Sequence, residues 1–169
     1  MKISSQEEYG LRCLVQVART SDELPLPISE IAVREGLSVE YVGKLLSKLR
    51  KGGLVDSVRG KAGGYVLAQP ADKITLRHVI DVLSEPIYDP GYCQRFSGTE
   101  ETCVHVNNCG IRPIWSTVNR FLAESLDRVT VSDLKIDEKQ AVRRLRESLR
   151  DQALKIAGED PTVETLPVA

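Results

Sequence analysis

The chain has 169 residues, of which 41% are hydrophobic and 28% are charged, and its formal net charge is −1. This length suits one domain of ordinary size with extensions, and the hydrophobic fraction is sufficient for a packed core. The near-zero net charge excludes a protein that attracts nucleic acid or membranes over its whole surface. No apolar run approaches the roughly 18 residues of a membrane span, and the N-terminal segment lacks the features of a signal peptide. We therefore expect a cytoplasmic protein without membrane contact, whose cysteines are reduced.

The first part of the chain predicts three helices in close succession. In "SSQEEYGLRCLVQVART" one helical face carries Leu11, Leu14, Val17 and Ala18. The stretch "ISEIAVREG" predicts a short helix that is capped by Ser29 and ended by Gly36. The stretch "SVEYVGKLLSKLRKGG" predicts a helix that begins at Ser38, ends at Gly52 and buries Val42, Leu45, Leu46 and Leu49.

Two strands follow the third helix. The stretches "LVDSV" and "GYVLA" flank the glycine-rich turn "RGKAGG", and "TLRHVIDVLSE" then predicts a further helix before Pro86. Three short helices followed by a β-hairpin is the order of a winged helix-turn-helix, with Gly36 in the tight turn between the second and third helices. The sequence thus predicts a mainly α fold with a small β-wing.

Basic residues are concentrated between residues 44 and 61, where Asp56 is the single acid: Lys44, Lys48, Arg50, Lys51, Arg59 and Lys61. The third helix would enter the major groove of double-stranded DNA, and the wing would approach the minor groove. The candidate DNA-binding residues are Ser38, Glu40, Tyr41, Lys44, Lys48, Arg59, Gly60 and Lys61. Glu40 could accept a hydrogen bond from a cytosine amino group, whereas it would repel phosphate. Each feature alone could be a solvated face or a simple turn, but their joint order favours DNA binding.

Three of the four cysteines lie in the polar loop "GYCQRFSGTEETCVHVNNCGIRPIW", at Cys93, Cys103 and Cys109. Clustered cysteines in a reduced compartment favour metal or redox chemistry over structural disulfides. Their intervals of nine and five residues match neither the ferredoxin pattern nor the close pairs of zinc sites. A structural zinc site that also uses His105 remains an alternative. Cys13, in the first helix, is expected to be a small core residue.

A long helix is predicted after the loop, from about Ile111 to Val129. Its apolar residues recur every three or four positions: Ile111, Trp115, Val118, Leu122, Leu126 and Val129. The expected organisation is a winged helix-turn-helix domain at residues 1–84, a cysteine-rich loop at 85–110, a long helix with an apolar stripe at 111–134, and a charged helix with a loose tail at 135–169. The apolar stripe alone does not show its partner, since the long helix could fold back on its own domain. Nothing in the sequence suggests an enzyme, since no nucleophile–base pair, phosphate-binding loop or pair of catalytic acids is recognisable.

The sequence resembles the Rrf2 family of winged-helix transcriptional regulators, whose branches include IscR, NsrR and RirA. The resemblance covers residues 1–134 and rests on "EYGLR", on "LSVEYVGKLLSKLRKGGLVDSVRGKAGGYVLAQP", and on the loop cysteines followed by Trp115 and "VTVSDL". It implies a homodimer formed through the long helix, a palindromic DNA operator, and an iron–sulfur cluster ligated by Cys93, Cys103 and Cys109. A 2Fe–2S cluster is slightly favoured over a 4Fe–4S cluster.

The resemblance leaves the fourth ligand open. The IscR branch has a histidine three residues after the last cysteine, where this chain has Arg112. The NsrR branch has an aspartate before the tyrosine of the first helix, and Glu8 occupies that place and could reach the cluster of the other subunit. His105 is the rival ligand. Glu8 could instead be a first-turn acid that the helix dipole favours, and His105 could be an ordinary solvated loop histidine. Gly43 stands where IscR-like proteins often carry a base-discriminating side chain, which suggests close backbone approach or a different operator.

Two functions other than cluster sensing remain open. One branch of the family senses oxidants through cysteine thiols without metal, and the same loop cysteines could serve that role. An electron-transfer module, in which the winged helix binds protein, is the more remote alternative. It would lack the salt-dependent DNA binding expected of a regulator.

Overall fold

The computed structural model describes residues 3–20, 24–60, 62–86 and 88–147. Its helices are α1 (Ser5–Arg19), α2 (Ile28–Glu35), α3 (Val39–Lys51), α4 (Leu76–Leu83), α5 (Tyr92–Arg95) and α6 (Ile111–Asp127). Its strands are β1 (Val55–Val58) and β2 (Gly64–Leu67), and a 3₁₀ helix, Val131–Lys135, follows α6. The predicted winged helix-turn-helix, mainly α with a small two-stranded sheet, is confirmed.

Helices α1 to α3 enclose the hydrophobic core together with α4 and β1. The apolar stripe of α3 is buried as predicted, through Val42, Leu45, Leu46 and Leu49. Helix α2 ends at Gly36, whose left-handed backbone (φ 66°) makes the sharp turn into α3. The prediction that Ser29 caps α2 is wrong. The helix begins directly after Pro27, which occupies the cap position, so that Ser29 is already its second residue.

The wing is an antiparallel hairpin in which Val55 lies opposite Leu67 and Val58 lies opposite Gly64. Its turn uses Gly60 at φ 118°, a conformation that side chains rarely allow. The hairpin is joined to the segment before α2, because Leu26 and Tyr65 exchange two backbone hydrogen bonds of 2.9 Å. The wing is thus held beside the helix-turn-helix.

Helix α6 has 17 residues, none of which is buried. It ends at Asp127, earlier than the predicted Val129. The reason is a short extended pairing with the segment before α4: the amide of Leu76 donates to the carbonyl of Val129 at 2.7 Å, and that of Val131 donates to Ile74 at 2.9 Å. These bonds take the chain out of the helix and attach the end of α6 to the winged domain.

Residues 138–147 are helical and form the described part of the charged C-terminal helix predicted from the sequence. Arg144 Nη1 lies 2.5 Å from Asp133 Oδ1, which ties this helix to the 3₁₀ turn. The remainder of the predicted helix and the tail, residues 148–169, lie outside the described residues. Within the described ranges, no helix combines the length and the hydropathy needed to cross a membrane.

Candidate DNA interface and cysteine loop

The N-terminal turns of α3 present the first group of predicted DNA-binding residues. Ser38 caps the helix, because its Oγ accepts a hydrogen bond of 3.2 Å from the amide of Tyr41. Glu40 and Lys44 are largely exposed and form an i,i+4 ion pair of 2.8 Å. The carboxylate therefore offsets the charge of its own lysine, and both groups stand at the surface where a duplex would approach.

Tyr41 is half-buried and held by α1. The ring of Tyr9 meets it edge-on, with centroids 6.1 Å apart and planes at 82°. Arg12 stacks on Tyr9 at 5.3 Å from the ring centroid and forms a 2.6 Å ion pair with Glu35. This hydrogen bond to Glu35 raises the pKa of Arg12 above its ordinary value. Because Glu35 directly precedes Gly36, the network fixes α1 against both sides of the helix-turn-helix joint.

Tyr9, Arg12 and Glu35 are functional candidates that the sequence did not single out. Tyr9 and Arg12 belong to the motif "EYGLR", on which the family resemblance partly rests, but the sequence assigned neither residue a function. A charged residue directly before the turn glycine was the only local signal for Glu35. Their contact could not be read from the sequence, since 23 positions separate the two charged residues.

Lys48 lies apart from the other candidates on α3. Its ammonium donates a 3.0 Å hydrogen bond to the carbonyl of Leu83, at the end of α4, and the contact is partly buried. The structure therefore directs Lys48 toward the interior side of α3, whereas Lys44 is exposed. A contact between Lys48 and DNA stays a prediction.

The wing presents Arg59 and Gly60, which are both exposed at the turn, whereas Lys61 lies outside the described residues. Arg50, at the end of α3, donates to Ser57 Oγ of β1 at 3.4 Å. This bond connects α3, the candidate recognition helix, to the wing. Helix α3 and the wing tip thus expose Lys44, Arg50 and Arg59, cationic side chains of the kind that contact DNA phosphates.

The three loop cysteines are free and half-buried, whereas Cys13 is fully buried. Burial raises the pKa of the Cys13 thiol to about 11, which makes it a poor nucleophile and ligand. The prediction that Cys13 is a core residue is confirmed. The loop thiols do not converge, since no three His, Cys, Asp or Glu side chains of the described ranges are placed to hold one metal ion.

Cys109 lies at the N-terminus of α6, and this position changes its chemistry. The backbone amides of Arg112 and Ile111 donate to its sulfur and lower the pKa of the thiol, and the charge of Arg112 adds to the effect. Oriented amides at a helix start stabilise a thiolate in this way. The side chain of Arg112 is anchored to the loop, because Nη2 donates to the carbonyl of Val106 at 2.7 Å.

The candidate fourth ligands, Glu8 and His105, are both exposed. Glu8 lies in the first turn of α1. His105 lies in a turn between Cys103 and Cys109, where its carbonyl accepts from Asn108 at 3.1 Å. The structure brings neither side chain together with two of the loop thiols.

Comparisons with known proteins agree with this architecture. Residues 3–137 match the family model of Rrf2, an iron-dependent transcriptional regulator. The HTH-type transcriptional regulator IscR of Erwinia tasmaniensis is 34% identical over 134 residues, which cover 79% of this chain and 78% of IscR. The chain belongs to the Rrf2 family of transcriptional regulators, a family of DNA-binding proteins and not of enzymes.

Two solved structures are similar over most of the chain. T. potens IscR superimposes with a TM-score of 0.62 at 30% identity, covering 79% of this chain and 85% of that one. CymR, the global cysteine regulator of B. subtilis, superimposes with a TM-score of 0.63 at 35% identity, covering 80% and 96%. An IscR and a cysteine regulator therefore share this fold. The fold alone does not identify the signal that this chain senses, which depends on its own residues.

Proposed function

We propose that this chain is a homodimeric regulator whose affinity for a palindromic operator depends on an iron–sulfur cluster held by Cys93, Cys103 and Cys109. The observation that carries the proposal is the state of the thiols: all three are free and half-buried in one loop, and the pKa of Cys109 is lowered. The chemistry of this donor set fits, because iron–sulfur clusters are bound through cysteine thiolates. When bound, the cluster would supply a centre that responds to iron supply, oxidants or nitric oxide.

The loop can bring the three sulfurs together only by rearranging. The described residues between α4 and α6 form one helix of four residues, α5, and otherwise turns and irregular backbone. Between Cys93 and Cys103 the backbone turns at Gly98, whose φ is 76°, a conformation that suits glycine. Cys109 is fixed at the start of α6, so we propose that Cys93 and Cys103 move toward it.

The fourth ligand is proposed to be Glu8 of the other subunit or, as the rival, His105. Glu8 lies on α1, the helix that also holds Tyr41 through the neighbouring Tyr9. A carboxylate is a harder and more weakly bound ligand to iron than a thiolate, so it could be exchanged when the signal arrives.

The dimer is proposed to form along α6. Five apolar side chains of this helix are exposed: Ile111 59%, Ile114 58%, Trp115 38%, Val118 38% and Phe121 44%. A second copy of this helix would cover such a stripe. Two recognition helices related by a twofold axis would then read two half-sites about one helical turn apart.

A thiol sensor without metal is the second candidate, and the lowered pKa of Cys109 favours it. A thiolate at the start of α6 would react first with an oxidant, and Cys93 or Cys103 could resolve the product as a disulfide. The disulfide would then join Cys93 or Cys103 covalently to the start of α6.

The iron and sulfide content of protein purified without oxygen separates the two candidates. The cluster proposal predicts coloured protein with visible charge-transfer absorption, and the triple replacement of the loop cysteines by serine removes it. The Cys13→Ser variant is the matched control and should keep the colour. Colourless, iron-free protein that still loses DNA binding on oxidation would select the thiol sensor.

A further inference from the structure

The last carbonyl of α4, that of Leu83, is bound by two other helices. Lys48 Nζ of α3 donates to it at 3.0 Å, and Gln6 Nε2 of α1 donates to the same oxygen. The final carbonyls of a helix have no partner within the helix, so two side-chain donors on one of them are a strong attachment. Leu83 itself is fully buried.

The two attachments are reinforced by close packing at glycines. A Cβ added at Gly10 of α1 would lie 2.6 Å from Leu83 Cδ2, so a larger residue there would force the buried Leu83 side chain to shift. A Cβ added at Gly52, the cap of α3, would collide with the side chain of Val82. In addition, the Ser84 hydroxyl donates to the carbonyl of Ile80 at 3.0 Å, which closes the last turn of α4.

The junction formed by Lys48, Gln6 and the Leu83 carbonyl lies next to the cysteine-rich loop in the chain. Helix α4 ends at Leu83 with Ser84 as its C-cap, and the cysteine-rich loop begins at residue 85. Only Ser84 therefore stands between the loop and the carbonyl that Lys48 of the recognition helix holds.

We propose that Lys48 and Gln6 are positioning residues that couple the cysteine loop to the recognition helix through the Leu83 carbonyl. A rearrangement of the loop pulls on the end of α4, and Lys48 passes this displacement to α3. In the reverse direction, DNA bound to α3 restrains the end of α4. The biological use of the coupling rests on the proposed function, whereas the coupling itself does not.

Hydrogen exchange measures the coupling without any cluster. The Ser84 amide donates to the carbonyl of Ile80 at 2.8 Å, so its exchange reports on the opening of the end of α4. In metal-free protein, a saturating operator duplex should slow this exchange about fivefold or more, the lower range of ordinary allosteric coupling. Lys48→Met should abolish the slowing, whereas Lys48→Arg, which keeps a donor, should retain most of it.

Lys44→Met provides the contrast for a lysine that contacts phosphate. It should weaken operator binding and reduce the slope of affinity against salt by about one, yet leave the slowing at Ser84 intact once operator saturates. If Lys48→Met behaves in this same way, Lys48 is a phosphate contact and the proposal is overturned. Gln6→Met gives a second, independent variant should Lys48→Met fail to fold.

The operator affinities of cluster-loaded and cluster-free protein give the second measurement. If wild-type protein shows different affinities, Lys48→Met should bring their ratio close to one, and an unchanged ratio would refute the coupling. If wild-type protein shows equal affinities while the exchange at Ser84 still responds to DNA, the sensing proposal fails and the junction stands.

Discussion

At the scale of single residues, the glycines next to the recognition helix have different reasons to be glycine. Gly52 is required by packing, because any Cβ there would collide with Val82. Gly43, in the middle of α3, has no such reason: a Cβ would lie 3.4 Å from Ile28 Cδ1, an ordinary contact. Glycine costs about 1 kcal/mol relative to alanine within a helix. Packing thus gives no reason for glycine at position 43, where close backbone approach by DNA or a different operator stays a prediction.

Replacing Gly43 by alanine should separate stability from DNA binding. We expect the free energy of unfolding to rise by up to about 1 kcal/mol, because alanine favours the helix. The affinity for operator should fall if DNA contacts the α3 backbone at this position, although the new methyl group itself would lie against Ile28 of α2. Urea unfolding and a DNA titration at fixed salt measure the two effects.

Gly52→Ala is the matched control, and it should lower the free energy of unfolding by about 1–3 kcal/mol through overpacking against Val82. A Gly43→Ala protein that binds operator as tightly as wild type would show that DNA does not contact the α3 backbone at this position.

The four cysteines should be alkylated at different rates, because their burial and their thiol pKa values differ. Lowering the pKa of Cys109 increases its thiolate fraction at neutral pH, whereas burial raises the pKa of Cys13 to about 11 and leaves it protonated. In metal-free reduced protein, alkylation should modify Cys109 first and Cys13 last. Because its pKa is lowered, Cys109 should still be alkylated at a pH at which an ordinary thiol no longer reacts.

Mass spectrometry of protein alkylated between pH 6 and pH 9 measures this order. Unfolded protein in urea is the control, since all four thiols should then react at similar rates. Alkylation of Cys13 as fast as that of Cys109 in native protein would contradict the placement of Cys13 in the core.

At the scale of elements, α3 shows why part of the fold could be predicted. Its start at Ser38, its buried stripe and its end at Gly52 are all local signals, and all three are confirmed. The start of α2 and the end of α6 were mispredicted for physical reasons. The first follows from Pro27, and the second depends on pairing between residues 129–131 and 74–76, which are distant in sequence. The attachment of Lys48 to Leu83 is equally non-local.

The cap of α3 offers a test at this scale. Ser38→Ala removes the acceptor of the Tyr41 amide and should lower the free energy of unfolding by about 1 kcal/mol. Ser38→Asp keeps an acceptor and a favourable charge at the helix start, so stability should be retained. Its negative charge would face phosphate, however, and operator affinity should fall.

Thermal unfolding and DNA titrations of the two variants check these outcomes. Unchanged operator affinity in Ser38→Asp, at low salt, would mean that the start of α3 does not approach the DNA backbone.

At the scale of the whole molecule, the candidate sensor site is incomplete in a single described chain, although its cysteines could be recognised in the sequence. The residue types and their grouping in one loop are visible in the sequence, but the thiols do not converge within the described part of one chain. Convergence would require the metal centre itself and, in one proposal, Glu8 from a second copy. Neither requirement is local, whereas the helix-turn-helix and the wing depend on patterns a few residues long.

The proposed dimer can be tested on the exposed face of α6. Ile114 is 58% exposed, and Ile114→Glu would place a charge in the interface of the dimer. We expect the dissociation constant of the dimer to rise by at least about 100-fold, corresponding to roughly 3 kcal/mol, and affinity for a palindromic operator to fall with it. Sedimentation at several protein concentrations measures the change.

Arg120→Glu is the control for this substitution. Position 120 is five or six residues from Trp115 and Ile114, so it lies on another face of the helix, and the dimer should persist. Wild-type protein that sediments as a monomer at all concentrations would contradict the dimer altogether.

The most direct test is the affinity for one operator duplex at fixed salt, measured for cluster-loaded and for cluster-free protein. Our account predicts that the two affinities differ by fivefold or more, in the range of about 1–3 kcal/mol that is ordinary for coupled sites. Iron and sulfide bound to the wild-type protein, lost from the triple cysteine variant, should accompany the difference. Equal affinities for protein with and without the cluster would contradict the account.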